Sequence, residues 1–560
     1  MLEGIDLSQI QDERARELII RLLNLVEQLS GDLRQAQQEI QRLRDEIARL
    51  KGEKGKPNIK PNAAAGNRNY SSEKERKGGN KPKDPEAEAP APKNERLHID
   101  REETLKVDPA VLPEDAQFKG YEDVVVQELV FRTDNVLFHK EKFYSASEGK
   151  TYLAEMPAGY QGQFGCQLKA LIWVLYFASQ VSEPKIVELL RSVGIIISEA
   201  AVSNILIKGQ GSLHEEKAEI VRAGLASSPW QQTDDTGTRV NGVNQHCHIL
   251  CNPLYTAFFT LPQKDRESVI DVLSNHGPRR YLFNEQATAY FQKRGLSQRL
   301  IGKVKQLPQA EVLDEEGLEQ AISEQLGPIS AQQKKVIKDG ARVAAYRNQA
   351  ELPAVKLLVC DDAGQSKEIT EELGLCWVHD GRHYKQLLPV VELHQQLLGE
   401  FMTEYWEYYR ELLGSKKNPT KEEAERLEQR FDELFATVTG YEALDERIKQ
   451  SREKKPDLLA VLRHPEVPLH NNASELGARA RVRKRGVSLG PRTEQGVRAW
   501  DTGMTIVETA KKLGVSVYAY IKDRLSGTQQ MPSLAEIIGE RAKQLRLGAS
   551  WDSDSASPNF

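Results

Sequence analysis

An unbroken heptad pattern of apolar residues dominates the start of the chain. Its members alternate four and three residues apart: Ala15, Ile19, Leu22, Val26, Leu29, Leu33, Ala36, Ile40, Leu43, Ile47 and Leu50. This 3.5-residue period is typical of a coiled coil, and a helix with so narrow an apolar stripe does not bury it alone. The pattern predicts an oligomerisation helix over residues 1–52 that forms a homodimer or a higher oligomer, most simply a parallel coiled coil. Packing against the same chain is the alternative.

The next segment and the overall composition limit the class of protein. Residues 53–97 contain almost no apolar side chains, which predicts a disordered linker. There is no signal-like N-terminus, and the apolar run at 170–178 is too short to span a bilayer, so we expect no membrane partner. Five scattered cysteines favour a reducing, cytoplasmic compartment. Because the formal net charge is −5, any attraction to DNA must come from local basic patches.

Short runs rich in Val, Phe and Tyr follow the linker. They are broken by turn-forming residues, and the run at 123–133 is the most strand-like of them. The pattern predicts a small β unit over residues 98–160.

Residues 161–225 show the apolar spacing of helices. Ser182 and Ser198 are placed as N-caps, and Gly194 as a helix stop. The two short helices around Gly194 resemble a helix-turn-helix. A DNA-binding module and a helical packing module without DNA contact are equally compatible with this spacing.

Two pairs of aspartates lie on or at the ends of apolar strands. Residues 230–261 predict three strands, the first two joined by an Asn-Gly turn, with Asp234 and Asp235 on the first. Asp361 and Asp362 end a later buried strand, which we expect to be followed by a helix. A turn or cap is the commoner role for such an aspartate. However, carboxylates held on rigid strands are also what a hard cation such as Mg²⁺ requires.

A third carboxylate, Glu475, begins a predicted helix. It is followed by a basic run: Arg479, Arg481, Arg483, Lys484 and Arg485. Two metal ions held by three carboxylates can promote an in-line phosphoryl displacement while arginines bind the phosphodiester backbone. This is the chemistry of a nuclease or a strand transferase. Taken by itself, a basic run is more often a solvated helix face.

Four segments in this order resemble the blocks of bacterial transposases of the insertion-sequence-66 family. They are TDDTG at 233–237, LVCDDAGQ at 358–365, CWVHDGRHYK at 376–385 and PLHNNASELGARARVRKRG at 468–486. The N-terminal coiled coil, β unit and helical module also suit that family. The resemblance covers residues 14–525.

The resemblance implies an α/β fold: a ribonuclease-H-like catalytic core with an all-α insertion and a DDE triad. The family's D-x-T block falls on Asp234 and Thr236, its second aspartate on Asp361, and its N-N-x-x-E block on Asn471, Asn472 and Glu475. The triad Asp234, Asp361 and Glu475 is then both catalytic and metal-binding. Two Mg²⁺ ions are expected, with Mn²⁺ as a substitute. Because side chains alternate along a strand, each neighbouring aspartate is expected to point elsewhere.

The resemblance also implies roles around the triad. DNA contacts are expected from Arg382, Lys385, Arg479, Arg481, Arg483, Lys484 and Arg485, and structural roles near the site from Thr236, Cys376, His379, Asn471 and Asn472. Cys376, His379 and His383 have a zinc-like spacing. With no fourth ligand nearby, packing and hydrogen bonding beside the site are favoured over a closed zinc site.

Three features depart from the family pattern. The region 118–156 has no cysteine, whereas relatives carry a zinc ribbon there. An extra helical segment at 281–350 has no counterpart and no known role. His470 replaces a common aspartate, so the charge at that position depends on pH.

These observations define the domains and the expected function. The core is divided among residues 226–275, 353–390 and 461–525, separated by a helical insertion of unknown role at 276–352 and an all-α insertion at 391–460, and followed by a tail at 526–560. We expect a bacterial DNA transposase that binds the ends and target DNA of an insertion sequence and associates with the nucleoid. Accessory proteins of the same element are candidate partners, and the sequence leaves the need for them open. A catalytically silent scaffold derived from a transposase and a structure-specific nuclease on the same fold are the alternatives.

Overall fold

The computed structural model describes residues 10–50 and 97–552, apart from residues 114, 161 and 310. The chain divides into two compact units, and the smaller one contains residues 97–139 and 190–196 of the described part. The linker predicted at 53–97 falls almost wholly outside the described residues. In the part of the chain that is described, no helix is both long enough and apolar enough to cross a membrane.

The secondary structure is predominantly helical around one larger sheet. The α-helices are α1 (Glu13–Leu50), α2 (Cys166–Trp173), α3 (Glu183–Ser192), α4 (Glu199–Ile207), α5 (Gly211–Ala226), α6 (Arg266–Leu273), α7 (Glu285–Lys293), α8 (Gln298–Val304), α9 (Glu315–Gln325), α10 (Ala331–Arg347), α11 (Trp377–Lys385), α12 (Glu392–Ser415), α13 (Lys421–Leu434), α14 (Glu442–Arg452), α15 (Lys455–Leu458), α16 (Ala460–Arg463), α17 (Asn472–Ser488), α18 (Glu494–Lys512), α19 (Val517–Ser526) and α20 (Leu534–Leu545). The strands are β1 (Lys142–Ser145), β2 (Lys150–Leu153), β3 (Trp230–Val240), β4 (Val243–Asn252), β5 (Tyr255–Leu261), β6 (Tyr281–Leu282), β7 (Val312–Leu313), β8 (Leu357–Cys360) and β9 (Glu372–Leu375).

Helix α1 packs against its own chain through a face that is not the heptad stripe. Leu23, Asn24 and Glu27 are buried, and Asn24 Nδ2 donates a hydrogen bond of 2.9 Å to the carbonyl of Gly440. Packing in cis, the alternative to a coiled coil, is therefore present. Much of the stripe stays exposed nonetheless: Leu22, Leu29, Leu33, Ile40, Leu43 and Ile47. The coiled coil itself remains a prediction.

The predicted β unit is a single hairpin in the structure. Strands β1 and β2 pair antiparallel, with Lys142 opposite Leu153. The run at 123–133 was expected to be a strand, and that expectation was wrong. It forms no strand and is largely exposed, because no neighbouring strand among the described residues pairs with its backbone.

The helical module begins and ends its helices where the sequence indicates. The hydroxyl of Ser198 accepts a hydrogen bond of 3.2 Å from Ala201 N and caps α4, and Gly194 follows α3 with φ +87°. Helix α4 packs against α2 and α18, which is a packing role. A DNA contact by this module remains a prediction.

The larger sheet has the order β5-β4-β3-β8-β9. Strands β3, β4 and β5 are antiparallel, whereas β8 runs parallel to β3 and β9 parallel to β8. This mixed sheet confirms the α/β class. The turn between β3 and β4 has φ of 48° at Asn241 and 82° at Gly242, as the Asn-Gly pair predicts.

Helix α18 lies along the outer edge of β5. Its side chains accept hydrogen bonds from alternate backbone N–H groups of that strand. The bonds run from Thr260, Phe258 and Thr256 to Asp501 Oδ2 (2.7 Å), Thr505 Oγ1 (3.1 Å) and Thr509 Oγ1 (3.2 Å). The open edge of the sheet is thereby covered.

Both insertions are helical. The first, at 276–352, contains α7 to α10 and is tied to α6 by an ion pair of 3.0 Å between Arg342 and Asp271. The second contains α12 to α16 and has an aromatic core. Its members Tyr405, Trp406, Tyr408 and Tyr409 are buried around Trp377, which confirms that this cluster is core and not an exposed stacking surface.

Two further segments differ from expectation. No helix follows Asp362, because residues 364–369 form turns and Glu368 has φ 67°, a left-handed conformation that interrupts a helix. The predicted tail contains α20, which packs on α5, and Trp230 Nε1 donates a hydrogen bond of 2.7 Å to the carbonyl of Leu547. The described part of the tail therefore belongs to the core.

Candidate active site

Asp234 and Asp361 lie on neighbouring parallel strands. Gln232 of β3 is opposite Val359 of β8, and each aspartate follows its strand partner by two residues. The register therefore places the two aspartates at the same level, about 5 Å apart between backbones. Asp361 lies directly beyond the last residue of β8, where a side chain is free of strand packing.

Glu475 approaches the same face of the sheet from the first turn of α17. This helix packs across β3 and β4, and a Cβ added at Gly477 would lie 2.8 Å from Ile249 Cγ2. Ile249 is the partner of Asp234 on β4, so its side chain shares the face of Asp234. The close approach that Gly477 permits brings the buried Glu475 over that face.

Asn471 connects the elements that carry the site. Its Nδ2 donates a hydrogen bond of 2.6 Å to the carbonyl of Thr233, and its backbone N–H donates to Cys376 Sγ at 3.3 Å. It thus joins the start of α17 both to β3, next to Asp234, and to the start of α11. Asn472 is buried in the first turn of α17, and Thr236 is half-buried two residues after Asp234.

The three carboxylates influence each other electrostatically. Burial raises the pKa of Asp234 to about 7; the N–H of Asp235 opposes this shift, whereas the negative charges of Asp361, Asp235 and Glu475 add to it. Carboxylates crowded in a half-buried place repel each other, and a divalent cation relieves that repulsion through hard oxygen ligands. Carboxylate oxygens are suited to Mg²⁺ or Mn²⁺, but among the described residues the ligand atoms within 4.8 Å of one another around Glu475 come from Cys376 and His379 and not from Asp234 or Asp361.

The neighbouring aspartates have cations of their own. Asp362 forms ion pairs of 2.8 Å with Lys367 and 2.6 Å with Lys454, and despite its burial these lysines hold its pKa below the usual range. Asp235 lies 3.6 Å from Lys264 Nζ. Asp362 is therefore neutralised within the protein, which favours Asp361 as the candidate metal ligand, whereas the contact of Asp235 with Lys264 is longer.

Helix α11 places the side chains of His379 and Arg382 next to Glu475. Arg382 Nη1 donates a hydrogen bond of 2.8 Å to His379 Nε2, and Arg382 Nη2 lies 3.5 Å from both oxygens of Glu475. The Arg382 side chain is 46% exposed, so it faces the carboxylates and solvent together. Lys385 is half-buried in the last turn of the same helix.

The zinc-like spacing in α11 gives a different grouping in three dimensions. Ligand atoms of Cys376, His379 and Glu475 lie within 4.8 Å of one another, and His383 is not part of this group. Burial raises the pKa of the Cys376 thiol to about 11, and His379 Nε2 accepts a hydrogen bond from Arg382. A protonated thiol and an engaged imidazole are poor ligands. Packing beside the active site remains the favoured interpretation.

The basic run on α17 is divided between the core and the surface, and two predicted DNA contacts are wrong. Arg481 is fully buried, with Nη1 3.3 Å from Asp501 Oδ1 and Nη2 donating to Thr260 Oγ1 at 2.9 Å. Lys484 is also fully buried and donates a hydrogen bond of 2.6 Å to the carbonyl of Tyr176. Neither side chain is accessible to a phosphate.

Helical periodicity explains this division. Positions 477, 481 and 484 fall on the face of α17 that packs on the core, whereas Arg479 and Arg483 project away from it and are exposed. Arg479 Nη2 also lies 3.7 Å from Glu475 Oε2. Arg485 is half-buried and donates to the carbonyl of Gly237. The surface available for DNA is therefore smaller than the sequence indicates.

Sequence reasoning missed several residues that shape the site. Lys367 and Lys454 neutralise Asp362, but no local pattern links them to it, since Lys454 belongs to the all-α insertion. Asp501 was detectable in principle, because it is an acid between Trp500 and Met504 on a predominantly apolar helix. A buried acid at such a position requires a buried cation or several donors.

Comparisons with known proteins indicate a family for the chain. Residues 343–499 match the family model described as Transposase IS66 family, a stretch that holds Asp361, His379 and Glu475 but not Asp234. The uncharacterized protein y4jO of Sinorhizobium fredii is 30% identical to this chain over 325 residues. The match covers 58% of this chain and 100% of that protein.

Proposed function

Since this chain belongs to the IS66 family of transposases, we propose that it is a DNA transposase that cuts and joins strands by a DDE mechanism. The proposed catalytic and metal-binding residues are Asp234, Asp361 and Glu475. The proposed substrates are the ends of an insertion sequence and its target DNA.

We further propose that the larger sheet is a ribonuclease-H-like core. Three antiparallel strands are followed by two parallel ones, with Asp234 on the central strand β3 and Asp361 at the end of the adjacent strand β8. Helix α17 carries Glu475 across the sheet, and the all-α insertion lies between the second and third carboxylates along the chain. This arrangement supports the fold that the sequence resemblance implies.

One observation carries the proposal. Asp234, Asp361 and Glu475 lie far apart in sequence, yet the charges of Asp361 and Glu475, together with that of Asp235, raise the pKa of Asp234, which supports a shared site. Each acid reaches that site from a rigid element, and the adjacent acids Asp235 and Asp362 are paired with lysines. A carboxylate cluster of this kind is costly unless it binds cations.

The chain's own residues prepare this site for a phosphodiester. Two bound divalent cations would supply activation of the attacking oxygen and stabilisation of the leaving oxygen. Asn471 fixes the position of α17 relative to β3, and His379 holds Arg382 beside Glu475. With its remaining N–H groups exposed, Arg382 can bind a phosphate oxygen of the strand.

Helix α1 supports a role in assembly. Its exposed apolar stripe includes Leu22, Leu29 and Leu33, and leucines at such spacing pair with a second helix of the same kind. We propose a homodimer or higher oligomer formed through this stripe, because joining two element ends requires at least two DNA-binding subunits. Accessory proteins of the same element remain proposed partners.

Substitution of the acids tests the mechanism. Asp234→Asn, Asp361→Asn and Glu475→Gln should each lower strand cleavage by roughly 10²-fold or more, since each removes a charge on which the transition state depends. The measurement is nicking and joining of a duplex carrying the ends of the element, with Mg²⁺ and then Mn²⁺, and without metal. DNA affinity should be retained in all three variants.

The matched controls are the adjacent acids. Asp235→Asn and Asp362→Asn should keep most of the activity, with melting curves to verify that they fold. Loss of activity in Asp362→Asn together with retention in Asp361→Asn would overturn the assignment. Cleavage without joining would favour the nuclease alternative, and DNA binding without cleavage in the wild-type protein would favour the silent scaffold.

A further inference from the structure

A second pocket opens at the outer end of the sheet, beside the edge strand β5. Its volume is about 470 Å³, and its walls come from α5, β5, α18 and the loop that follows α6. The groups capable of carrying positive charge in its lining are His214, Lys217, His276 and Arg498.

Two of these cations have no fixed partner. Lys217 Nζ lies 4.3 Å from the centre of the Phe259 ring, and it makes neither a hydrogen bond nor an ion pair with any described residue. Arg498 is exposed and equally unpaired within the described part of the chain. The nearby carboxylate of Asp501 is already engaged by Arg481 Nη1 at 3.3 Å. Burial lowers the pKa of Lys217, so the permanent positive charge at the pocket is the guanidinium of Arg498, and Lys217 offers an unpaired N–H donor.

The histidines add hydrogen-bond donors. His214 Nδ1 lies 2.8 Å from Thr502 Oγ1, and burial together with the charges of Arg498 and Lys217 lowers the pKa of His214 to about 4. Burial also lowers the pKa of His276. Both imidazoles are therefore neutral near pH 7 and can donate one N–H each. The lining carboxylate Glu494 belongs to an exposed residue, while Asp501 is buried and paired.

The loop that positions His276 is held in an unfavourable conformation. Asn275 and His276 have φ of 51° and 55°, so two consecutive residues other than glycine are left-handed. Asn275 Nδ2 anchors the loop with a hydrogen bond of 3.0 Å to the carbonyl of Ala218 on α5. The His276 ring then lies 5.0 Å from the Phe259 ring, between centroids. Such strain is typical of residues placed for binding.

We propose that this pocket binds the phosphate group of a nucleotide unit, with Arg498 as the charged contact and Lys217, His214 and His276 as further hydrogen-bond donors. A phosphate oxygen takes several N–H donors, and charged donors bind it most strongly. Val240, Pro262 and Val497 give the pocket apolar walls that suit a sugar or a base.

The position of the pocket indicates how it relates to the carboxylates. Thr260 in its lining is opposite Cys247, which is opposite Thr236 of the D-x-T segment. Two strand spacings separate Thr260 from Thr236, or about 10 Å. Phe259, against which Lys217 and His276 pack, points to the opposite face of the sheet from Thr260 and Asp234, so the pocket is separate from the carboxylates. The inference rests on the proposed function only in naming DNA as one source of the phosphate.

Calorimetric titration of the full-length protein with inorganic phosphate and with adenosine 5′-monophosphate tests the pocket. Lys217→Met and Arg498→Met should each weaken binding on the order of ten-fold or more, the loss expected for one hydrogen bond to a charged group. Arg498 is exposed, so its variant should fold normally even if Lys217→Met does not. Arg222→Met, an exposed position on α5, is the matched control and should bind as the wild type does.

A single-stranded oligonucleotide without a terminal phosphate distinguishes the two sources. If both small ligands bind and the variants lose them, the pocket takes a free phosphate monoester. If the two substitutions weaken binding of the oligonucleotide only, the pocket binds the phosphates of a DNA backbone. If neither ligand class distinguishes the variants from Arg222→Met, the proposal is overturned.

The outcome is separable from that of the proposed function. Asp361→Asn should lose strand cleavage and keep wild-type phosphate binding. A wild-type protein that binds phosphate through Lys217 and Arg498 but never cleaves DNA would refute the transposase mechanism alone. One that cleaves DNA but shows no effect of these substitutions would refute the pocket alone.

Discussion

Helices α1 and α17 place their characteristic residues in opposite environments. In α1 the apolar stripe is exposed, and the contact with the rest of the chain includes the buried polar residues Asn24 and Glu27. In α17 the conspicuous residues are cations, and two of them, Arg481 and Lys484, are fully buried. From sequence, the first helix predicts buried leucines and the second predicts exposed arginines.

The difference shows that whether a side chain is buried depends on the groups that it contacts, and not on whether it is apolar or charged. Glu27 is buried because its carboxylate accepts hydrogen bonds from the N–H groups of Val390 and Val391, at 2.8 and 3.1 Å, at the start of α12. Arg481 is buried because Asp501 and Thr260 receive its N–H groups. A charge with fixed partners is stable inside the protein, whereas an apolar stripe without a neighbour stays in water.

The largest effect is expected at the buried cation of α17. Arg481→Met leaves the Asp501 carboxylate buried without its cation, which should lower the free energy of unfolding by about 3–5 kcal/mol. Arg483→Met, two residues along the same helix but exposed, should change it by less than about 0.5 kcal/mol. Denaturant unfolding of both variants measures the contrast.

Adding a substitution at Asp501 shows how much of the stability loss comes from the lost ion pair and how much from the lost packing of Arg481. In Arg481→Met with Asp501→Asn, the buried charge is gone, so a large part of the stability should return. Equal stability of the Arg481→Met and Arg483→Met variants would contradict the buried position of Arg481.

An intermediate effect is expected in α1, where the two faces should respond to different measurements. Glu27→Ala removes the acceptor of two backbone N–H groups, which should cost about 1–3 kcal/mol and speed hydrogen exchange in α1. Its oligomeric mass in light scattering should not change. Leu29→Glu with Leu33→Glu should reduce the mass to that of one chain while leaving the docking of α1 intact. The reverse pattern would mean that the heptad stripe, and not the Glu27 face, contacts the chain in cis.

The smallest effect is expected at the exposed arginines of α17. Arg479→Ala with Arg483→Ala should weaken binding to all DNA sequences alike, and the slope of log affinity against log salt should fall by about 0.9 per lost phosphate contact. Arg452→Ala, an exposed position on α14, is the matched control. An unchanged slope, or a loss of discrimination between end sequence and random duplex, would show that the arginines do not hold the backbone.

Local patterns predicted what depends on a few neighbouring residues. The Asn-Gly turn, the Ser198 cap, the strand that carries Asp234, the strand that ends before Asp361 and the aromatic core around Tyr405 all follow from short-range spacing. The sequence resemblance singles out Asp234, Asp361 and Glu475 among the many acids of the chain, because the family's blocks fall on these positions in the same order.

The remaining features depend on partners that sequence does not bring together. The run at 123–133 has the composition of a strand, but a strand also needs a neighbour with free backbone groups. The faces of α17 are set by where β3 and β4 lie, and the pairing of Asp362 is set by an insertion far along the chain. Lys217 and Arg498 belong to no motif, and only the fold places them on one pocket.

The hydrogen bonds from β5 to α18 depend on a near coincidence of two repeats. Four residues of a helix rise about 6 Å, and two residues of a strand advance about 6.7 Å. Asp501, Thr505 and Thr509 are spaced by four, so each meets the next alternate N–H of β5 with a slip of about 0.7 Å. All three bonds form within this slip, at 2.7, 3.1 and 3.2 Å from Thr260 to Thr256.

A helix can thus accept hydrogen bonds from about three alternate N–H groups of a strand before the two repeats no longer match. Three alternate N–H groups span nearly the full length of β5. Because α18 occupies these donors, the sheet has no room to grow into a neighbouring subunit at this end. An oligomer formed through α1, as proposed above, would not need this edge of the sheet.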